Sequence, residues 1–243
     1  MDSGDLDETR QGPDTMPVIS FVSPKGGVGK TTSAVLLGGA LADMGAPVTM
    51  IDADPNQPVS SWAKLAGRPD NLRVIRDVTQ DTVIDVIEEE AQRSTFVICD
   101  LEGTASLTVS YAVSRSDLVL IPLQGSHLDA AQAARAVKLV RSTEKAIGRS
   151  VPFALFFNRV STAIQPRTFR HIRDEFEAAG LPVLACTLQE REAFRAIFSF
   201  GGTVAGLTSA QASNLPAALA NVSDFARAVT NRLRPTAATA QEA

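Results

Sequence analysis

Short apolar segments alternate with longer amphipathic segments along most of the chain. The apolar segments are rich in β-branched residues and apolar at successive positions, which predicts strands buried on both faces of a sheet. They lie at residues 17–23, 47–52, 72–76, 95–100, 117–122, 152–158 and 181–187. Helical spacing of apolar residues occurs between them, at about 30–44, 79–93, 104–115, 127–147, 166–179 and 214–233. The alternation predicts an α/β fold, a doubly wound and mostly parallel sheet with helices on both faces.

The two ends of the chain differ in composition from this central region. Residues 1–16 are acidic, contain glycine and proline, and carry the whole formal net charge of −4, so a disordered acidic leader is expected there. Small polar residues at 235–243 predict a flexible tail, which leaves residues 17–234 as a single domain. The chain contains no run of about 20 apolar residues, the length of a membrane span, and its two cysteines lack metal-site spacing. A cytoplasmic protein with buried free thiols is therefore expected.

A glycine-rich loop follows the first predicted strand and leads into the first predicted helix. Its sequence, FVSPKGGVGKTTSAV, fits the phosphate-loop pattern G-x-x-x-x-G-K-[ST] except that Pro24 replaces the first glycine and Lys25 is an additional lysine. The backbone N–H groups of such a loop, together with a helix N-terminus, form an anion site. Lys30 would place positive charge at the β- and γ-phosphates, and the Thr31 hydroxyl would bind Mg²⁺. The expected nucleotide-binding residues are Lys25, Gly26, Gly27, Val28, Gly29, Lys30, Thr31 and Thr32.

Aspartates occur where the second and fourth predicted strands end. Asp52 and Asp54 are two residues apart, so in an extended segment their side chains point to the same side. Asp100 ends an apolar run in the manner of a Walker B element. We expect Asp52 and Asp100, together with Thr31, to hold Mg²⁺, and Asp54 to act on the attacking water. The alternative interpretation is that Asp52 or Asp54 caps the following helix.

These segments resemble those of one family of ATPases. KGGVGKTT resembles the deviant Walker A loop of the ParA/MinD superfamily of P-loop ATPases, DADPNQ its switch segment and FVICDLEG its Walker B element, and the likeness spans residues 17–233. The resemblance implies that Lys25 is the signature lysine that reaches the partner's phosphates across an ATP-sandwich homodimer. Lys25, Lys30 and Asp54 are then the catalytic residues of a weak, Mg²⁺-dependent ATP hydrolase that a partner protein and DNA stimulate.

The chain departs from the common family pattern after Asp100. The family usually has Thr-Pro-Pro after its Walker B element, whereas this chain has DLEGTAS, which adds the carboxylate of Glu102. Three roles stay open for Glu102: a catalytic group, a group near the metal ion, or a surface residue. DADPNQPVSSWAK together with LQEREAFRAIFSFGG is similar to the VirC-type subgroup of T-DNA transfer and to related small partition ATPases. The chain ends in proline and small residues where a MinD-like protein has an amphipathic membrane helix, so no membrane partner is expected.

Several arginines are candidates for contacts with DNA. Arg167, Arg170 and Arg173 recur at every third position of a predicted helix, so they form a ridge on one side of it. Arg191 and Arg195 are four residues apart, in a segment that resembles the region through which the family contacts DNA. Arginine contacts to phosphates give affinity for double-stranded DNA without reading its sequence. The alternative is that these arginines belong to solvated helix faces with intrahelical ion pairs.

Together these features favour a ParA-like ATPase that positions a cargo. The resemblance implies ATP and Mg²⁺ as cofactors, a homodimer on the nucleoid, and a ParB-like or other adaptor on a plasmid, a transfer DNA or a protein assembly. It also implies that Asn158, at the end of the sixth predicted strand, contacts the adenine. Two other classes stay open, a biosynthetic P-loop enzyme of the amidoligase type and a nucleotide-gated scaffold.

Overall fold

Six strands form one parallel sheet in the computed structural model, which describes residues 16–103, 106–125, 127–161 and 167–234. The strands are β1 (Val18–Phe21), β2 (Val48–Ala53), β3 (Leu72–Ile75), β4 (Phe96–Leu101), β5 (Leu118–Leu123) and β6 (Phe153–Phe157). Their order in the sheet is β3-β2-β4-β1-β5-β6, and every neighbouring pair is parallel. The predicted doubly wound α/β fold is confirmed. The predicted tail and all of the predicted leader except Met16 lie outside the described residues.

Helices cover both faces of this sheet. In the described part of the chain they are α1 (Lys30–Asp43), α2 (Pro58–Ala63), α3 (Val83–Glu90), α4 (Leu107–Arg115), α5 (His127–Ile147), α6 (Arg167–Ala178), α7 (Glu192–Phe200) and α8 (Leu215–Leu233), with a short 3-10 helix at Val204–Gly206. One hydrophobic cluster joins one face of the sheet to α1, α2, α7 and α8, and a second joins the other face to α3, α4, α5 and α6.

The central strand β1 shows why its segment is apolar at successive positions. Ile19 and Phe21 belong to the first cluster, whereas Val18 and Val22, on the alternate positions, belong to the second. A strand with water on one face would need polar residues at every second position. β1 is therefore buried on both of its faces.

The carboxyl ends of β1, β2 and β4 meet at one edge of the sheet. In the strand register Asp100 is level with Phe21 on one side and with Asp52 on the other. The direction of strand succession reverses at β1, and in open α/β sheets ligands bind at the carboxyl edge beside such a reversal. The fold thus brings the loop after β1 and the aspartates of β2 and β4 to the position where a ligand is expected.

The seventh predicted strand, residues 181–187, does not form. This segment touches β6 only through an isolated bridge between Leu155 and Val183. Further along, the side-chain amide of Asn221 on α8 donates a hydrogen bond to the Thr187 carbonyl (2.8 Å) and accepts one from the Gln189 N–H (2.9 Å). Neither of these groups is the next in line for pairing with β6. The Leu155 carbonyl accepts from the Leu184 N–H, and the Phe157 carbonyl accepts from the Leu188 N–H rather than from Cys186, so the ladder breaks between Leu184 and Leu188. The short helix α2 was also not predicted.

We expect the Asn221→Ala substitution to destabilise the protein measurably. It would leave the Thr187 carbonyl and the Gln189 N–H without these partners, and an orphaned, partly buried polar group costs about 1–3 kcal/mol. Urea denaturation should therefore show a lower midpoint with an unchanged slope. Asn231→Ala, at an exposed position on the same helix, is the matched control and should leave the midpoint unchanged. Equal midpoints for the Asn221 variant and the parent would contradict this account.

Candidate active site

The phosphate-binding loop, residues 22–29, connects β1 to α1. Gly29 directly precedes α1 with φ of 97°, a left-handed conformation that glycine adopts without strain. A Cβ atom at this position would also overlap the side-chain amide of Asn158. No side chain of the described residues caps the N-terminus of α1. The first N–H groups of the helix therefore remain available to an anion, as the sequence predicts.

Two amide side chains from neighbouring strand ends support the loop. Asn158 is buried, and its Nδ2 donates to the Val28 carbonyl (3.0 Å) and to the Ser33 hydroxyl (3.3 Å). Gln124 donates through Nε2 to the Gly27 carbonyl at 3.3 Å. The structure thus places Asn158 against the loop backbone, and its contact with adenine stays a prediction. The support from Gln124 was not predicted, although its position directly after β5 was a usable signal.

Asp100 is a buried carboxylate that lacks hydrogen bonds of good geometry. Neither of its oxygens has such a partner among the described residues. Burial raises the pKa of Asp100 to about 7, against the opposing effects of the Thr31 hydroxyl and the Lys30 ammonium. A buried anion without partners is costly in the ligand-free protein, and a cation bound beside it would remove that cost.

Asp52 combines a structural contact with an unused oxygen. Its Oδ2 accepts a hydrogen bond from the Ser60 N–H at 2.7 Å, which satisfies a donor in the first turn of α2. Its Oδ1 is buried and has no hydrogen-bond partner in the described structure. Burial raises the pKa of Asp52, and the hydrogen bond from Ser60 opposes this effect. The helix-capping interpretation therefore fits one oxygen, whereas the other is available to a ligand.

Lys30 is the buried cation of the site, with 7% of its surface exposed. Burial lowers the pKa of its ammonium below the ordinary value. The carboxylates of Asp100, Asp54 and Glu102, in decreasing order of effect, oppose this shift. One cation thus faces several carboxylates, which is an arrangement suited to a further cation at the same place.

Asp54 and Glu102 flank this centre and are only half-buried. Oδ1 of Asp54 accepts hydrogen bonds from the backbone N–H (2.9 Å) and the side-chain amide (3.0 Å) of Asn56, so Asp54 closes a turn ahead of α2. Glu102 precedes Gly103, where an added Cβ would lie 3.4 Å from the Gly26 nitrogen and 3.5 Å from Lys30 Nζ. The segment after β4 therefore passes directly over the phosphate-binding loop.

A cavity of about 180 Å³ adjoins the first turn of α1. It is lined by Thr32, Asn158, Arg159, Gln189, Glu190, Arg191, Phe194 and Arg195. The guanidinium of Arg191 donates to Oε1 of Gln189, and its Nε is buried without a hydrogen-bond partner in the described structure. Arg195 has 67% of its side chain exposed and pairs with Glu190 at 3.0 Å.

The other proposed DNA contacts lie on α6. Arg170 is exposed, and Arg173 forms an ion pair with Glu177 at 2.9 Å. The side chain of Arg167 lies outside the described residues. The intrahelical ion pair of Arg173 agrees with the alternative interpretation of a solvated helix face, whereas Arg170 has no such pair among the described residues.

The residues at the loop fit a Mg²⁺–nucleotide complex. Within the described chain no group of three or more His, Cys, Asp or Glu residues could hold a metal by itself. Mg²⁺ typically uses one or two carboxylates together with substrate phosphates and water. The unpartnered oxygens of Asp52 and Asp100, beside the Thr31 hydroxyl, match that set of ligands. None of the described helices has the length and apolar character required to span a bilayer.

A glycine-rich loop at the sheet reversal, a buried lysine and a Walker B aspartate define a P-loop nucleotide-binding protein. A family model described as "VirC1 protein" matches residues 16–239. A protein ParA from Rhizobium radiobacter is 40% identical over 218 residues, which cover 90% of this chain and 98% of the relative. A protein VirC1 from Rhizobium rhizogenes is 29% identical over 187 residues, covering 75% of this chain and 80% of the relative. The chain belongs to the VirC1 family, within the ParA/MinD superfamily of partition-type ATPases.

The fold is similar to that of solved members of the superfamily. A complex of a McdA variant from Cyanothece with ATP superposes with a TM-score of 0.69 at 18% identity, covering 90% of this chain and 98% of that one. The predicted relation to the ParA/MinD superfamily and to the VirC-type subgroup is confirmed.

The Asp100→Asn substitution should stabilise the ligand-free protein in a pH-dependent manner. Because the folded-state pKa of Asp100 is raised to about 7, the stability contributed by its protonation is present at acid pH and is lost as the pH rises through about 7. Asparagine does not ionise, so the advantage of the variant in thermal midpoint should grow between about pH 4, the ordinary pKa of an aspartate, and pH 7 and then stay constant. Thermal unfolding in chelator across this range measures it.

The exposed Asp70 provides the control for this measurement. Asp70→Asn should give the same difference from the parent at every pH. A pH-independent difference for the Asp100 variant as well would show that ionisation of Asp100 does not destabilise the fold.

Proposed function

We propose that this protein is a ParA-like ATPase that dimerises around ATP, binds DNA without sequence preference and positions a cargo. The observation that carries the proposal is the buried Lys30 beside Asp100, together with the buried oxygens of Asp100 and the Oδ1 of Asp52 that lack hydrogen-bond partners among the described residues. Membership of the VirC1 family supports the same class of activity.

In the proposed reaction the residues of this chain have distinct tasks. Lys30 and the N–H groups of the loop hold the phosphates of ATP, and Thr31, Asp52 and Asp100 hold Mg²⁺. When bound, Mg²⁺ would offset phosphate charge as it develops. Asp54 positions the attacking water, which requires its carboxylate to turn away from Asn56 or to act through its other oxygen.

Lys25 has a different task from Lys30 in this proposal. Lys25 is half-buried, whereas Lys30 is buried. In the dimer its ammonium would contact phosphates held by the partner and stabilise negative charge there. Binding of ATP would then favour the dimer, and hydrolysis would favour its dissociation. A cargo-bound, ParB-like adaptor would stimulate hydrolysis.

The two lysines should therefore give different defects. Lys30→Ala should abolish ATP binding, because it removes the cation that is buried beside the phosphates. Lys25→Ala should keep ATP binding but lose ATP-dependent dimerisation and turnover. Titration calorimetry measures binding, light scattering measures the oligomeric state and phosphate release measures turnover.

Lys64→Ala, at an exposed position on the chain, is the control for removal of a lysine charge and should behave as the parent. Retention of ATP binding by the Lys30 variant would refute the loop assignment. Normal dimers and turnover in the Lys25 variant would refute its role across the dimer. An amidoligase-type enzyme would instead hydrolyse ATP only when its small-molecule substrate is present.

Asp54→Ala should trap an ATP-bound dimer on DNA, because it removes the carboxylate that positions water and leaves the phosphate-binding loop intact. The exposed Arg195 on α7 and Arg170 on α6 are the proposed contacts with DNA phosphates, together with Arg167, three residues before Arg170 on α6. Replacing Arg195 or Arg170 by alanine in the trapped protein should weaken retention on random-sequence duplex DNA. Each change should reduce the slope of log affinity against log salt by about 1.

Arg227→Ala serves as the control, since it removes an exposed arginine of α8 that is paired with Asp224. It should leave the salt slope unchanged. If both the Arg195 and the Arg170 variants have the parent's slope, the DNA surface lies elsewhere. If the trapped protein does not bind DNA at all, a nucleotide-gated scaffold is favoured.

A further inference from the structure

Arg191 differs from the other candidate DNA contacts because part of its guanidinium faces the interior of the protein. It directly precedes α7, in an extended backbone conformation with φ of −135° and ψ of 144°. Its Nε is buried and has no hydrogen-bond partner among the described residues, whereas one terminal nitrogen donates to Gln189. An unpaired buried donor is costly unless a ligand supplies its acceptor.

The cavity beside Arg191 lies next to the first turn of α1 and to Asn158, which supports the phosphate-binding loop. Thr32, in the first turn of α1, and Asn158, which holds the loop, line one side, and Gln189, Arg191 and Phe194 line the other. A nucleotide whose phosphates lie at the N-terminus of α1 therefore has this cavity next to it.

The size of the cavity indicates which part of a ligand it would hold. Its volume of about 180 Å³ is below the roughly 300–1,000 Å³ of pockets that enclose a whole small-molecule ligand. Because the phosphates would already occupy the loop, only the nucleoside end needs a cavity. The Phe194 side chain contributes an apolar surface and Arg191 a charged donor, which suits a flat heterocycle with acceptors on its edge.

We propose that Arg191 reads the purine base of the bound nucleotide, rather than contacting DNA. The inference rests on the proposed nucleotide-binding function and deepens it. The part of the Arg191 guanidinium that lines the cavity donates to an acceptor on the edge of the base. Phe194 packs against the same ligand, and the triphosphate is held independently by the phosphate-binding loop.

The contact also connects the base to the rest of α7. Arg191 immediately precedes α7, and Arg195 is one helical turn further along with most of its side chain in solvent. Gln189, two residues before Arg191, is held in place on two sides. Its N–H donates a hydrogen bond to Asn221 of α8, and it forms a β-bridge with Val160. A base in the cavity would therefore contact the residue from which α7, the helix that presents Arg195, begins.

The test compares a ligand that has a base with one that lacks it. Titration calorimetry measures the binding of ATP and of inorganic tripolyphosphate, each with Mg²⁺, to the parent, Arg191→Ala and Arg191→Lys. A hydrogen bond to a charged group contributes enough for its loss to weaken ATP binding about tenfold or more in the alanine variant. Tripolyphosphate should bind the parent and the Arg191 variants equally. The lysine variant should recover only part of the ATP affinity, because it keeps the charge but loses the planar fork.

Arg227→Ala controls for the loss of one positive charge and should leave both affinities unchanged. Thermal unfolding without nucleotide confirms that each variant is folded. An equal loss of affinity for ATP and tripolyphosphate would overturn the inference, because it would indicate a general electrostatic effect. Unchanged ATP affinity in Arg191→Ala, with weaker DNA retention in the Asp54→Ala background, would return Arg191 to the DNA surface. Failure of the parent to bind either ligand would instead refute the nucleotide-binding function itself.

Discussion

The contact between Asn158 and the backbone around Gly29 is the constraint on which the site depends. The Asn158 amide follows β6, at one side of the sheet, and donates to the loop that follows β1 in the middle. It lies where a Cβ of residue 29 would be, so the loop can only take this path with glycine. The path in turn aligns the N-terminus of α1 with the aspartates of β2 and β4. A short-range packing requirement thus links three separate parts of the chain.

The ionisable groups at the strand ends are buried, and several of their oxygens lack partners among the described residues. Burial disfavours the ionised forms of Lys30, Asp52 and Asp100 alike. Such groups persist in folded proteins when binding or catalysis uses them, although structural ion-pair networks shift pKa values as well. Here the unpartnered oxygens of both aspartates make the first explanation the stronger one. A cation bound beside these oxygens would lower that cost.

The sequence was most informative where a local pattern determines the structure by itself. Uniformly apolar strands required a sheet covered on both faces, and the loop with Lys30 and Thr31 required a strand before it and a helix after it. Residues 181–187 have the same apolar character, yet they form no strand, because the Phe157 carbonyl of β6 pairs with the Leu188 N–H and the ladder breaks after Leu184. No local pattern reports such a contact.

Arg191 and Arg195 show a second limit of sequence reasoning. They have the same residue type and helical spacing, so the sequence assigned them one role. Their environments differ, since Arg191 has a buried Nε while Arg195 is largely in solvent beside Glu190. The difference depends on how α7 packs beside the loop, which lies far away in the chain.

The two hydrogen bonds of Asn221 restrict insertions and deletions in the segment that they hold. One amide side chain binds the carbonyl of Thr187 and the N–H of Gln189. Both hydrogen bonds can form only when these two groups are two residues apart. An inserted residue between them would break one of the two bonds and rotate every following side chain, including that of Arg191. An insertion near Gly180, where the chain turns at the surface after α6, would leave both hydrogen bonds of Asn221 intact. Length variation among related chains should therefore accumulate before Thr187 and be absent between Thr187 and α7.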